Sequence, residues 1–351
     1  MKRRWFKIAA LLTVGGFAVA ASGLVPIKAS SGHWAITTWF LQFSKRRSVA
    51  THTLALTAPP LDDPDLVLRG AGHYETGCRP CHGSPDLSRL RIPQQMTPPP
   101  PYLPPAISEW EPDELFYIVK HGIKFTGMPA WPAQQRDDEV WAMVAFLLTL
   151  PKLDAAAYRR LVDGESTAVA TNPPPTVAES CGRCHGRGAG AFPRLEGQSP
   201  AYLLAALQSF ARGERHSGIM EPIAAGLSPG EMQELARYYG NLEAPAPPPA
   251  SELTPEIERG KAIASRGMPR QRVPSCVDCH GPGASRRNPI YPILGGQHAD
   301  YLLLQLDLFK KRQRGGSAYA HLMHPVAAGL APEQMQDVAL YYASLTSGLS
   351  R

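Results

Sequence analysis

Every cysteine of this 351-residue chain lies in a Cys-x-x-Cys-His pentapeptide, and the chain contains three of them. The pentapeptides supply Cys78, Cys81 and His82; Cys181, Cys184 and His185; and Cys276, Cys279 and His280. Two thiols at this spacing can each form a thioether with one vinyl group of a porphyrin, and the adjacent imidazole then becomes the proximal ligand of the iron. The sequence therefore predicts three covalently attached c-type haems and, from them, electron transfer.

Other uses of cysteine fit these motifs less well. A structural zinc site needs four ligands from paired elements, and a His directly after the second Cys is not zinc-finger spacing. A thioredoxin-like pair would open a helix in an alternating strand and helix pattern, which the sequence lacks. Disulfides between cysteines three residues apart would be strained and would leave the three histidines unexplained.

The positive charge of the chain is concentrated at its N-terminus. Residues 1–61 contain eight Lys and Arg residues and no Asp or Glu. Subtracting eight from the formal charge of +6 leaves −2 for the remainder, so the pI of about 9.0 is a property of this segment. We therefore expect no nucleic-acid partner.

The same segment predicts a membrane anchor. Residues 8–27 form an uncharged stretch of 20 residues, long enough to cross a hydrocarbon core of ~30 Å as a helix. Four basic residues precede it, which favours a cytoplasmic N-terminus and export of the rest. The expected location is thus the bacterial inner membrane, with a single N-terminal anchor and the haem domains in the periplasm.

A cleaved signal peptide is the alternative, because residues 18–20 read Ala-Val-Ala behind an apolar core. We favour a retained anchor for two reasons. The apolar stretch continues past that point, and Trp34, Trp39 and Phe40 precede the basic run at 45–47 in a pattern typical of a segment lying on a membrane surface.

Two stretches rich in Pro and Ala divide the remainder into modules. Such runs favour extended conformations and read as linkers. The predicted organisation is an anchor and interfacial segment at 1–61, module one at 62–151, a linker at 152–172, module two at 173–242, a linker at 243–251 and module three at 252–351. The linkers would let module one move relative to the other two modules.

Modules two and three repeat one another. Residues 193–198 read Pro-Arg-Leu-Glu-Gly-Gln and residues 292–297 read Pro-Ile-Leu-Gly-Gly-Gln. Both are followed by Tyr-Leu-Leu, by a Met ahead of Pro and by a Tyr-Tyr pair, in registers that match except for short insertions. Positional roles can therefore be transferred from one module to the other.

The coarse secondary structure is all-α. Residues 199–212 and 298–312 have helical apolar spacing, and Ser228 with Glu231 forms a capping box that opens a helix through Tyr239. Further helix starts are expected at Thr254-Pro255, at Ala331-Pro332 and at Asp137, which can cap a helix through Leu148. No stretch alternates well enough to predict a strand.

The second axial position decides what a haem does, because a Met there fills the site and raises the reduction potential, whereas an open site binds small ligands. Met128 lies beside Pro129 in a predicted loop of module one. The repeat aligns Met220 with Met323, and the nearby Pro222 and Pro325 predict that these two also lie in loops between helices. These three are the predicted distal ligands, with His82, His185 and His280 as proximal ligands. Three closed sites favour a carrier over an enzyme such as a haem peroxidase.

Other candidates are assigned elsewhere. Met96, Met143, Met232, Met268 and Met335 are assigned to packing. His121, His216, His321 and His324 could in principle bind iron. Bis-His ligation of the third haem through His324 remains an alternative, although the repeat aligns His324 with Glu221, which is no haem ligand.

These motifs carry two family resemblances. Residues 176–345, with their Pro-x-Leu-x-Gly-Gln segments and distal Met, resemble the dihaem cytochrome c4 family. Residues 62–151, with Gly-Met-Pro-Ala-Trp at 127–131, resemble a monohaem class I cytochrome c. The resemblance implies three tandem class I cytochrome c domains with haem c as cofactor.

The resemblance also implies redox protein partners. For a c4-like carrier these are a terminal oxidase and a quinol-oxidising complex. Trihaem cytochrome subunits of membrane alcohol and aldehyde dehydrogenases also join three class I domains. An electron-accepting subunit of such a periplasmic dehydrogenase complex is therefore the alternative function.

Overall fold

The computed structural model describes residues 2–163, 174, 181–185, 190–243, 254–282, 288–316 and 318–345. Within these residues the secondary structure is helical, apart from two isolated β-bridges. The all-α prediction is confirmed.

Two long helices precede module one: α1 Lys2–Ala21 and α2 Ala35–His52. By length and composition α1 could cross a membrane, and its side chains are exposed over the whole candidate span. A signal sequence has the same properties, so α1 fits either role. The C-terminal end of α2 packs on module one, where Val49 is buried and the His52 ring stacks on Tyr117 with centroids 5.3 Å apart.

Module one contains six helices around one apolar core. They are α3 Pro64–His73, α4 Arg79–His82, α5 Leu103–Ala106, α6 Pro112–His121, α7 Asp137–Thr149 and α8 Ala155–Asp163. Helices α3 and α7 cross closely, because a Cβ added to Gly70 would lie 2.2 Å from the carbonyl oxygen of Ala142. The expected cap at Asp137 is wrong. Arg136 occupies the cap position, and the Asp137 carboxylate instead pairs with Lys120.

Helix α8 lies where the sequence predicts the first linker. Tyr158 and Val162 are fully buried in the core of module one, and the Tyr158 hydroxyl donates a hydrogen bond of 2.6 Å to the Glu75 carboxylate. The prediction that the linker begins at 152 is therefore wrong, because this amphipathic helix covers the haem-motif side of the core. Residues 164–172 and 244–251 of the predicted linkers lie outside the described residues.

Modules two and three have the same helix order after their haem motifs. Module two contains α9 Gly182–His185, α10 Pro200–Ala211, α11 Met220–Ala225 and α12 Pro229–Asn241. Module three contains α13 Pro255–Arg266, α14 Val277–His280, α15 Ala299–Lys310, α16 Ala320–Ala328 and α17 Pro332–Ser344. The capping box of Ser228 and Glu231 at the start of α12 is confirmed, as is the Thr254 cap of α13.

Equivalent residues of the repeat form the two cores. Leu203, Ala236 and Tyr239 are buried together in module two, and Leu302, Ala339 and Tyr342 are buried together in module three. Cys181 and Cys276 each pack on the respective core. The structure thus places the first cysteine of both haem motifs in the same packing environment.

Modules two and three join through a reciprocal pair of amide contacts. The Gln198 side chain donates to the carbonyl of Ile293 at 2.7 Å and accepts from its N–H at 3.0 Å. Gln297 does the same with the carbonyl and N–H of Arg194, both at 3.0 Å. Because each Gln is the repeat equivalent of the other, this joint is pseudo-symmetric.

Candidate haem sites

The three motif histidines share one hydrogen bond. Nδ1 of His82 lies 2.9 Å from the carbonyl oxygen of Pro101, Nδ1 of His185 lies 3.1 Å from that of Pro193, and Nδ1 of His280 lies 2.9 Å from that of Pro292. A carbonyl oxygen only accepts, so Nδ1 must carry the proton. The bond fixes the tautomer and leaves the Nε2 lone pair for a metal.

Burial acts on the same groups. It lowers the pKa of both His82 and His185, so these imidazoles are neutral near pH 7, as a metal ligand must be. Burial also raises the pKa of the Cys78 thiol to about 12 and that of Cys276 to about 11. The first cysteine of each of these motifs therefore lies in apolar surroundings, as a thiol joined to a porphyrin edge would.

Module three brings the predicted groups of one site together. A pocket is lined by Cys276, His280 and Met323 together with apolar side chains that include Leu302 and Tyr342. Its apolar walls suit a porphyrin. The structure thus brings the tethering thiol, the predicted proximal ligand and the predicted distal ligand to one space.

His324, the alternative ligand in module three, is engaged elsewhere. Its Nε2 lies 3.0 Å from the carbonyl oxygen of Arg314, and its ring packs against Phe309 with centroids 5.9 Å apart. Because that carbonyl needs a donor, Nε2 carries the proton, which leaves only Nδ1 with a lone pair. This contact favours Met323.

The distal Met residues of modules two and three do not lie in loops as expected. Met220 is the first residue of α11, and Met323 lies within α16, which continues past Pro325. In module two the Met220 N–H donates to the Ser217 hydroxyl at 3.0 Å.

Met128 does lie in a loop. Its N–H donates to the Thr126 hydroxyl at 3.1 Å, and its carbonyl accepts from the Ile123 N–H at 3.3 Å. A second sulfur is close to this loop, because a Cβ added to Gly127 would lie 2.6 Å from Sδ of Met96. Met128 and Met96 are thus the two thioethers to be distinguished in module one.

Two partly buried arginines lie between modules two and three. Arg215 donates to the Tyr301 hydroxyl at 3.0 Å, and the Arg314 guanidinium lies 4.5 Å from the Phe309 ring centroid with its Nε buried and without a hydrogen bond. Burial, and then the charge of Arg215, lower the pKa of Arg314 to about 10. Neither arginine pairs with a carboxylate among the described residues.

The two arginines line a pocket together with Cys279, His280 and Met323. Partly buried cations of like charge call for an anion. The propionate groups of haem supply such an anion, so the residues present fit a haem at this position.

Comparison with known proteins identifies the family. The family model for cytochrome c oxidase, cbb3-type, subunit III matches residues 65–147 and 168–238. The thiosulfate dehydrogenase electron acceptor of Thiomonas intermedia is 38% identical over 178 residues, which are 48% of this chain and 80% of that protein. Its counterpart from Stutzerimonas stutzeri is 34% identical over 58% of this chain and 94% of its own length. Cytochrome c4 of Thiocapsa roseopersicina is 31% identical over 52% of this chain and 99% of its own length.

The chain belongs to the multihaem c-type cytochromes related to cytochrome c4. Haem c is therefore its cofactor, and its function is electron transfer. The resemblance to cytochrome c4 predicted from the sequence is confirmed at this level.

Some residues of this cytochrome's sites have no signal in the sequence. The carbonyl acceptors stand 19, 8 and 12 residues after their histidines, so no fixed spacing marks them. Pro193 and Pro292 are at least visible as the first residues of the repeated segments. Arg215 and Arg314 are also repeat equivalents, but only their burial without a carboxylate distinguishes them from surface arginines.

Proposed function

We propose that the chain carries single electrons through three covalently attached haems, each held by one His and one Met. The proximal ligands are His82, His185 and His280, the distal ligands are Met128, Met220 and Met323, and the tethers are Cys78, Cys81, Cys181, Cys184, Cys276 and Cys279. The observation that carries the proposal is the Nδ1 to proline carbonyl contact in all three motifs. The same proximal contact in all three motifs supports three haem sites.

A haem supplies a one-electron couple, and a Met ligand raises its potential and closes it to small molecules. The protein's part is to hold each imidazole neutral and oriented, and to surround the porphyrin with apolar side chains. Arg215 and Arg314 supply positive charge beside the third site. This arrangement suits electron transfer rather than catalysis at the haem iron.

The donor is best sought among periplasmic dehydrogenases. Two relatives that align over 80% and 94% of their own length are named electron acceptors of thiosulfate dehydrogenase. We therefore assign this chain a thiosulfate dehydrogenase as its electron donor. This is a more specific form of the alternative function expected from the sequence, an electron-accepting subunit of a periplasmic dehydrogenase complex. Relay to a terminal oxidase is the second candidate, favoured by the match to a subunit III model of cbb3-type oxidase.

The N-terminal segment would keep the carrier at the outer face of the inner membrane. Helix α1 is exposed and apolar, and Trp39, Phe40 and Phe43 of α2 are exposed on the segment that joins α1 to module one. Such a tether raises the effective concentration of membrane partners. Mass spectrometry of the isolated protein tests this, because a cleaved N-terminus would remove the anchor.

The function is tested by mixing the oxidised cytochrome with a thiosulfate dehydrogenase and thiosulfate, and following haem reduction by stopped flow. We expect reduction of all three haems, and none when the dehydrogenase is omitted. No reduction with the dehydrogenase, but reoxidation of the reduced cytochrome by a cbb3-type oxidase, would favour the second candidate.

The ligands are tested by substitution. Met323→Ala should open only the third haem to carbon monoxide and remove one third of the Met-to-iron charge-transfer band, whereas His324→Ala should leave both unchanged. In module one, Met128→Ala should act in the same way and Met96→Ala should not. The reverse result in either pair would reassign that ligand.

A further inference from the structure

Module one reaches the segment that precedes Met220. Ile219 packs against the core of module one. Gly218 lies against Trp131, since a Cβ at this position would lie 2.0 Å from the indole Nε1. The residues next to a predicted ligand of the second haem are thus held by a different module.

A buried carboxylate lies at the centre of this contact. Glu139 of α7 is 7% exposed and accepts hydrogen bonds from the Ser217 hydroxyl and the Gly218 N–H, both at 2.6 Å. It also accepts from Trp131 Nε1 at 3.2 Å and pairs with Arg136 at 3.0 Å. A carboxylate with four donors in a desolvated site fixes the groups around it, because each donor would lose its partner on moving.

The contact continues to Met220 through one hydroxyl. Ser217 Oγ donates to Glu139 and accepts from the N–H of Met220 at 3.0 Å and of Ile219 at 3.3 Å. Ser217 Oγ therefore binds two backbone N–H groups at the start of α11, where Met220 is the first residue. Glu139 sets the orientation of this hydroxyl, and the hydroxyl sets the position of the Met220 backbone.

Among the described residues, the equivalent Met of module three is held differently. Helix α16 begins at Ala320, so Met323 lies one turn inside the helix, where its backbone is held by helical hydrogen bonds. The neighbouring Leu322 is 48% exposed, whereas Ile219 in module two is packed on module one. The N–H of Met220 thus binds a hydroxyl that a neighbouring module orients.

We infer that Glu139 is a positioning residue for the distal ligand of the second haem, so that module one determines the ligation and reduction potential of a haem in module two. This inference rests on the proposed function, because it takes Met220 as an iron ligand. Glu139 acts through Ser217, whose hydroxyl joins it to the N–H of Met220.

The test is redox titration of the full haem-loaded chain with the Met-to-iron charge-transfer band as a second readout. Met220→Ala first identifies the component that belongs to the second haem. Glu139→Ala and Ser217→Ala should weaken the same third of the band. They should also lower the equilibrium constant for reduction of the second haem by about tenfold, which lowers its potential by ~59 mV for a one-electron couple. The exposed Glu234→Ala is the matched control and should change neither.

The outcomes separate the two proposals. If Met220→Ala changes the second haem but Glu139→Ala and Ser217→Ala retain three haems with an unchanged band and potentials, the positioning role is wrong and the ligand assignment stands. If Met220→Ala itself changes nothing, the ligand assignment is wrong. Should Glu139→Ala fail to yield protein with three haems, the milder Ser217→Ala decides the question by the same two readouts.

Discussion

The two joints between the modules are built differently. The contact between modules two and three includes a reciprocal pair of neutral amides, in which Gln198 and Gln297 each bind the backbone of the other module. Modules one and two meet through a one-sided charged cluster, in which Arg136 and Glu139 of α7 bind the backbone of residues 216–218. In the neutral contact, each of the two glutamines should contribute equally to the free energy of unfolding. In the buried charged contact, removing one charge leaves the opposite charge unpaired and should cost more. The following substitutions test that difference, from the largest expected effect to the smallest.

Arg136→Ala should have the largest effect. Arg136 is 9% exposed, binds Asp138 through two hydrogen bonds, pairs with Glu139 and donates to the His216 carbonyl at 2.7 Å. Burial alone would lower its pKa, but Asp138 and Glu139 raise it, so the guanidinium stays charged. Removing it leaves buried carboxylates without a counter-charge, which costs about 3–5 kcal/mol.

Urea unfolding of the haem-loaded chain, followed by circular dichroism, measures this loss. Arg212→Ala is the control, because Arg212 also pairs with a carboxylate but is exposed. A loss for Arg136→Ala no larger than for the control would show that the first joint does not depend on its charges.

Gly218→Ala comes next, because it tests the shape of the same joint without changing a charge. The added Cβ would meet the indole of Trp131 at 2.0 Å, and overpacking of this kind costs about 1–3 kcal/mol. Gly226→Ala is a close control in the same module, since its Cβ would have an ordinary contact of 3.5 Å. Equal unfolding midpoints for the two variants would contradict the close approach of the modules.

Whether the residues of a joint can be predicted from the sequence depends on whether they recur in the internal repeat. Gln198 and Gln297 recur at equivalent positions of the repeat, so the residues of the symmetric joint can be recognised in the sequence. Neither Glu139 nor Ser217 belongs to a motif that recurs in the chain, and the two are 78 residues apart. Nothing in the local sequence therefore indicates their contact. The expectation that module one moves freely came from linker composition, which contains no information about buried charges elsewhere.

The haem sites show the same division. The candidate tethers and proximal histidines are marked in the sequence, because their chemistry requires a fixed local spacing. The helical setting of the distal Met residues could not. Pro222 suggested a loop, but it lies in the first turn of α11, where the missing N–H would have no helical partner in any case.

Gln198→Ala and Gln297→Ala test the symmetry of the second joint. Each removes an amide that binds both backbone groups of one residue, and leaving such groups unpaired costs about 1–3 kcal/mol. Because the two contacts are equivalent, the two losses should agree within error. Gln208→Ala, on the exposed face of α10, is the control. Unequal losses would show that the repeat equivalence does not extend to the energy of the joint.

Arg46→Ala should have the smallest effect. Arg46 pairs with Glu109 at 2.8 Å and lies 5.1 Å from the Trp110 ring centroid, so it joins α2 to module one much as Arg136 joins module one to module two. Both members of the pair are more than half exposed, however, and exposed ion pairs contribute about 0–1 kcal/mol and weaken with salt. A double-mutant cycle with Glu109→Ala at low and high salt measures the coupling. A coupling that survives high salt would mean that the α2 contact is desolvated like the joint at Glu139, and that exposure alone does not separate the two.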